Sequence, residues 1–139
     1  MSLDDEVAAI LDELVAIWSQ LDFARLRELW DTTDPAVVYI ADELPYPLVG
    51  MKEIEENWRR IGTRLEWAAV EVSRATIRSI ADDVALALFL WSWQVVPVDD
   101  PQVRAGHAWT TVLLRRRSDR WRIFHLIESP VYIAPADDS

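Results

Sequence analysis

The 139 residues carry 14 basic and 24 acidic side chains, a formal net charge of −10 at pH 7. Such a chain repels phosphate backbones and anionic bilayers, which excludes nucleic acid and membrane surfaces as expected partners. There is no cysteine, so disulfides, thiolate nucleophiles and cysteine-ligated zinc or iron–sulfur centres are excluded as well.

The length fits one domain over residues 1–139. An acidic start at Ser2-Leu3-Asp4-Asp5-Glu6, with no apolar run of membrane-spanning length, predicts a soluble cytoplasmic protein. The first helix is predicted over Leu3 to Leu21. Val7, Ile10, Leu11, Leu14, Ile17 and Trp18 recur at the three-and-four spacing of an amphipathic helix, Ser2 suits the N-cap, and Asp4, Asp5 and Glu6 suit the positive end of the dipole. A shorter helix, Phe23 to Trp30, follows Asp22 and stops at Asp34-Pro35. Val37 to Ile40 is β-prone, and Leu44 to Val49 reads as a weak returning strand that Pro45 and Pro47 confine to an edge. Gly50 precedes a third helix, Met51 to about Gly62, with Met51, Ile54, Trp58 and Ile61 on its apolar stripe.

From Leu65 the hydrophobic period changes to two. Four long strands are predicted: Leu65 to Ser79 (with a possible bulge), Val84 to Val98, Val103 to Arg116 and Arg120 to Ile133. Turns fall at Ala81-Asp82-Asp83, Val98-Asp99-Asp100-Pro101 and Ser118-Asp119. The expected fold is α+β, a curved antiparallel sheet packed against three N-terminal helices. Alternation puts His107, Trp109, Thr111 and Leu113 on one face of their strand, and Trp121, Ile123, His125, Ile127 and Ser129 on one face of the next. These two sets are expected to line the concave side together. The opposite face, carrying Val70, Leu88, Leu90, Val112, Leu114, Phe124 and Leu126, has no helix left to cover it, and an apolar face of that extent predicts a homodimer formed sheet to sheet.

The element order, the run Trp121-x-x-x-His125-x-x-x-Ser129, Thr111 ahead of it, the early Trp18, the Pro-Leu-Val-Gly50 before the third helix and the closing Ser129-Pro130 together resemble the nuclear-transport-factor-two-like superfamily. The likeness is to its SnoaL-like and kinase-association-domain-like branches and covers nearly the whole chain. The resemblance implies a cone-shaped, cystatin-like α+β barrel with an internal cavity, usually dimeric through the sheet. Two positions depart from the pattern of those branches. Trp109 stands where arginine is often found and Ile127 where a second histidine is often found, which implies a more apolar ligand than a carboxylate.

On this reading His125 and Glu71 are the candidate catalytic residues, the first as an imidazole able to act as acid, base or anchor, the second as a carboxylate among indoles. For each there is a plainer reading. His125 would be a partly buried imidazole bonded to a backbone carbonyl, and Glu71 an exposed strand end or a partner of Arg64 or Arg74. Tyr39, Tyr46, Trp58, Trp91, Trp93, His107, Trp109 and Ile127 are the candidate ligand-binding residues, with Asp42 and Glu43 in a turn at the cavity mouth. No metal and no cofactor is expected, since the two histidines lack carboxylates at ligand spacing and three glycines make no phosphate loop. The expected function is a homodimeric binding protein with an aromatic-lined cavity for an apolar or aromatic small molecule. The alternatives are an isomerase, cyclase or dehydratase, or an association module whose cavity is incidental.

Overall fold

A computed structural model describes residues 2–131. Helix α1 spans Leu3–Ser19 and begins as its sequence dictates: the Asp5 amide donates to Ser2 Oγ at 3.2 Å, with three acids in the first turn. A 3-10 helix covers Phe23–Leu29 where a short second helix is expected. Strands β1 (Val38–Ile40) and β2 (Leu48–Val49) form the small hairpin, followed by α2 (Met51–Arg64). Strands β3 (Leu65–Ala81), β4 (Val84–Pro97), β5 (Arg104–Arg117) and β6 (Arg120–Pro130) complete the chain. The sequence places the end of the last strand at Ile133, and Tyr132 and Ile133 lie outside the described residues. The β5–β6 turn carries left-handed φ values of 51° at Ser118 and 63° at Asp119, the backbone that a two-residue hairpin turn requires. No helix among the described residues is long and apolar enough to cross a membrane.

The six strands form one curved, unclosed sheet in the order β2-β1-β6-β5-β4-β3, antiparallel throughout except where β1 runs parallel to β6. Three helices and this sheet make an α+β cone, as expected. Register shifts interrupt the pairing at both ends of β3 and at two places within the sheet. One lies in β3 between Ser73 and Thr76, where Arg74 has a φ of 54°, and one lies between β5 and β6 beside Leu113 and Leu114.

The inner face holds the core. Val7, Leu11, Leu14 and Ile17 of α1 join one buried cluster with Ala85, Ala87 and Phe89 of β4, Val112 and Leu114 of β5, and Ile123 and Leu126 of β6. Ala85 and Ala87 are fully buried in it. The Trp121 indole donates to Glu6 at 2.7 Å, which ties β6 to α1. Buried Asp31 accepts from the Thr33 amide and hydroxyl and from Arg117 Nε at 2.9 Å.

Two expectations about facing are corrected. In β5 the buried set is Ala108, Thr110, Val112 and Leu114, so His107, Trp109, Thr111 and Leu113 point outward. In β6 the bulge at Phe124 shifts the alternation: Trp121 and Ile123 face in, but the inner set continues as Leu126 and Glu128, which turns His125 and Ile127 out. Consequently Val112, Leu114 and Leu126 belong to the core, and Val70, paired with Trp93, packs against it. Phe124 sits half-buried in the bulge under the Arg115 guanidinium, 4.1 Å from the ring centroid. Of the residues expected on the uncovered face, Leu88 and Leu90 do lie there, beside Trp109, Thr111 and Ile127.

Candidate functional site

The inner face of the sheet presents one carboxylate to the interior. Glu128 follows Leu126 on the inner side of β6, pairs across β5 with Thr110, and Thr110 pairs in turn with Phe89 of β4. On the other side β1 brings Tyr39 into register with Leu126, and the Tyr39 hydroxyl donates to Glu128 Oε1 at 3.4 Å. The turn after β1 carries Asp42 and Glu43, and their carboxylates come within 4.8 Å of Glu128.

Aromatic rings enclose this group. Trp30 meets Trp58 edge-on at 5.7 Å and Tyr39 at 6.2 Å, while Trp18 meets Trp91 at 5.8 Å. These rings nearly fill the expected cavity: the enclosure holds about 30 Å3, room for about one water molecule. Its polar lining is Glu128, Tyr39 and Thr110.

The environment sets the protonation. Burial, then the charges of Glu43 and Asp42, push the Glu128 carboxyl up to about 8, against the lowering effect of the Tyr39 hydroxyl. Glu43 is raised to about 7 by desolvation first and by Asp42 next, although its exposure to solvent damps that effect. Burial, followed by the Glu128 and Glu43 charges, raises the Tyr39 phenol well above its ordinary value. At neutral pH the site therefore holds a protonated carboxylic acid beside a neutral phenol, two groups able to donate hydrogen bonds to a carbonyl or hydroxyl. Once deprotonated, Glu128 is a base strong enough to accept a proton from a weak acid. The three carboxylates have the spacing of an oxygen-ligand set for a hard cation, but the proton retained on Glu128 opposes cation binding at neutral pH.

Of the residues singled out in the sequence, Tyr39, Trp58 and Trp91 line the enclosure. Trp93 faces inward but lies across Gly106, outside the lining. Tyr46 is 65% exposed on the β1–β2 loop. His107, Trp109, His125, Ile127 and Glu71 are all on the outer face, where Glu71 is in register with Ser92, and Ser92 Oγ lies 2.8 Å from His107 Nδ1. The two catalytic candidates are thus brought together neither with each other nor with the enclosure. Glu128, Thr110, Trp18 and Trp30 went unremarked as site residues. The available signal was the even-numbered set of β5, small and aliphatic, matched by a lone carboxylate at Glu128 in the inner set of β6.

The profile of the SnoaL-like domain matches residues 7–133. No curated protein matches the sequence. Among solved structures, the chain is similar to a nuclear transport factor 2-like superfamily protein from Salmonella enterica serovar Typhimurium. The TM-score is 0.83 and the identity 16%, over 97% of this chain and 95% of that one. It is also similar to a protein with a cystatin-like fold from Caulobacter vibrioides, at a TM-score of 0.77 and 20% identity over 93% and 89% of the two chains. A hexachlorocyclohexane dehydrochlorinase matches with a TM-score of 0.79 and 11% identity over 98% and 90%. At such identities the likenesses establish the fold alone. The profile match over most of its length means that this chain belongs to the SnoaL-like domain family, with the fold seen in nuclear-transport-factor-2-like proteins.

Proposed function

We propose that the protein binds a small apolar or aromatic molecule on the inner side of the cone and exchanges a proton with it through Glu128, without a cofactor. The observation that carries this reading is the Glu128 carboxyl, held near 8 beside the Tyr39 hydroxyl and walled by indoles. A group of that proton affinity is matched to acid–base work near neutrality. Isomerisation and elimination both need such a group: the carboxylate removes a proton from carbon next to a carbonyl, and the phenol donates to the oxygen that gains charge. A similar fold in a dehydrochlorinase is compatible with this chemistry. His125 and Glu71, on the outer face, have no part in it.

The test is hydrogen–deuterium exchange, in deuterated buffer, at the carbon next to the carbonyl of aryl alkyl ketones. Wild type should accelerate exchange with a rate that rises through pH 8, and Glu128→Gln should lower it by about 100-fold or more. Equal rates would remove the proton-transfer reading.

The outer face supports a second element of the proposal, assembly as a homodimer. Leu88, Trp109 and Ile127 are 37%, 38% and 39% exposed there, an apolar surface on a chain whose net charge otherwise opposes self-association. A cytoplasmic setting, which the cysteine-free sequence does not oppose, completes the proposal.

A further inference from the structure

The enclosure at Glu128 is too small for an organic ligand, and the space it lacks lies on the other side of one side chain. Between the 3-10 helix and α2 runs a surface groove of about 560 Å3, in which five of the eight lining residues are charged and Phe23, Ala24 and Trp58 form the apolar part. That volume falls in the range of small-molecule sites, about 300–1,000 Å3. Trp58 is the one side chain common to the groove and the enclosure, and it is only 3% exposed. Its indole is therefore the partition between a space that can hold a ligand and the groups that can act on one.

The 3-10 helix on one side of this partition buries Phe23, Leu26 and Leu29 and pairs Arg25 with Glu13 of α1, which leaves the Trp58 side chain as the part that moves. The 3-10 helix has seven residues, and its N-cap Asp22 makes no side-chain bond to it. It follows Leu21, at a φ of 55°, where α1 ends in a hydrogen-bonded left-handed stop: the Asp22 amide donates to the Ile17 carbonyl and the Leu21 amide to the Trp18 carbonyl, each at 3.1 Å. Across the groove the exposed pair Arg27–Glu55, at 2.5 Å, ties the 3-10 helix to α2, and an exposed ion pair of this kind contributes little to stability. The groove floor is Phe23, whose ring abuts Gly62 of α2 so closely that a Cβ there would sit 3.1 Å from Phe23 Cδ2. Beyond Trp58 the wall continues in aromatic rings, Trp30 and then Tyr39.

We infer that the groove and the enclosure are one binding compartment for a neutral aromatic molecule, joined when the Trp58 indole swings aside. The inference rests on the site proposed above and adds its extent, its entrance and its ligand class. An aromatic framework stacks on Phe23 and on the displaced Trp58, where rings prefer offset or edge-on contact. At the inner end it meets Tyr39 and a protonated Glu128, which favour a carbonyl or hydroxyl over a charged group.

The experiment uses prodan, a polarity-sensitive naphthyl ketone, mixed rapidly with the intact protein while its emission is followed. Wild type should bind it saturably with a blue-shifted emission. Ala24→Trp, which fills the groove from an exposed position, should slow association about tenfold, and Trp58→Phe should speed it about tenfold, because binding that waits on a conformational change is slow to associate. Failure of wild type to bind, or association with Ala24→Trp at the wild-type rate, overturns the inference even if Trp58→Phe does not fold. The two proposals separate cleanly. Rates that respond to Ala24→Trp while ketone exchange ignores Glu128→Gln uphold the compartment and remove the proton transfer. The opposite pair of results upholds the proton transfer and removes the compartment.

Discussion

The Tyr39 hydroxyl on β1 donates to Glu128 Oε1 on β6 at 3.4 Å, across the one parallel strand pair of the sheet. The bond opposes the burial and charge repulsion that raise the Glu128 proton affinity. Tyr39→Phe should therefore push the Glu128 midpoint higher still and move the pH profile of ketone exchange to more alkaline pH. An unmoved profile would show that the phenol does not reach the carboxylate in solution.

The same carboxyl makes stability depend on pH. Its value rises from an ordinary 4.5 to about 8 on folding, so between those limits the native chain holds a proton that the unfolded chain has lost. Stability from this group is full below 4.5 and declines as pH rises through 8. Each tenfold change in proton affinity is worth about 1.4 kcal/mol. Chemical denaturation of Glu128→Gln should show a gain over wild type that grows from pH 5 to pH 9. A constant difference across that range would contradict the assigned environment.

Asp31 works in the opposite sense. Burial raises its carboxyl, but the Thr33 side-chain and amide bonds, together with Arg117 and Arg115, outweigh burial and hold it below its ordinary 3.8. Its stabilisation is present above 3.8 and lost as pH falls through the lowered native value. Asp31→Ala should cost about 2–4 kcal/mol at neutral pH, since it strips a buried partner from two guanidinium groups. Urea denaturation measures this, and a loss near zero would mean that the cluster is solvated.

Gly106 is required by a contact rather than by its backbone angles. A Cβ there would lie 2.8 Å from Trp93 Cε2, closer than such atoms approach. Gly106→Ala should displace the indole, at a cost of about 1–3 kcal/mol, with a shift in tryptophan emission. Emission and stability both unchanged would show that the ring has room to move.

On the outer face, Leu90→Arg places a charge among Leu88, Trp109 and Thr111. If this face closes a homodimer, sedimentation should find wild type as a dimer and the variant as a monomer with unchanged circular dichroism. A variant that stays dimeric would place the interface elsewhere.

Much of the fold could be read in the residues because local signals agreed with it. Ser2 and the acids after it fixed the start of α1, period-two runs marked four strands, and Ser118-Asp119 marked the last turn. Which face of β5 turns inward was not legible, because both carry apolar side chains: Trp109 and Leu113 on one, Val112 and Leu114 on the other. The small Ala108 and Thr110 belong inside because they face bulky Trp91 and Phe89 in the neighbouring strand, a relation that only pairing reveals. In β6 the alternation breaks at Phe124, and a bulge leaves no mark on composition, so unbroken alternation carries His125 to the face of Trp121 and Ile123 and gives no sign of Glu128. Tyr39, Trp58 and Trp91 were legible as wall residues because large aromatics at inward helix and strand positions have few other places to go.

The central claim is that the interior of the cone keeps a protonated carboxylic acid at neutral pH. Carbon-13 NMR of protein labelled at the glutamate side-chain carboxyl tests it directly, with Glu128 assigned as the resonance missing in Glu128→Gln. A midpoint near 8 is the predicted result, and a midpoint near the ordinary 4.5 would contradict the account.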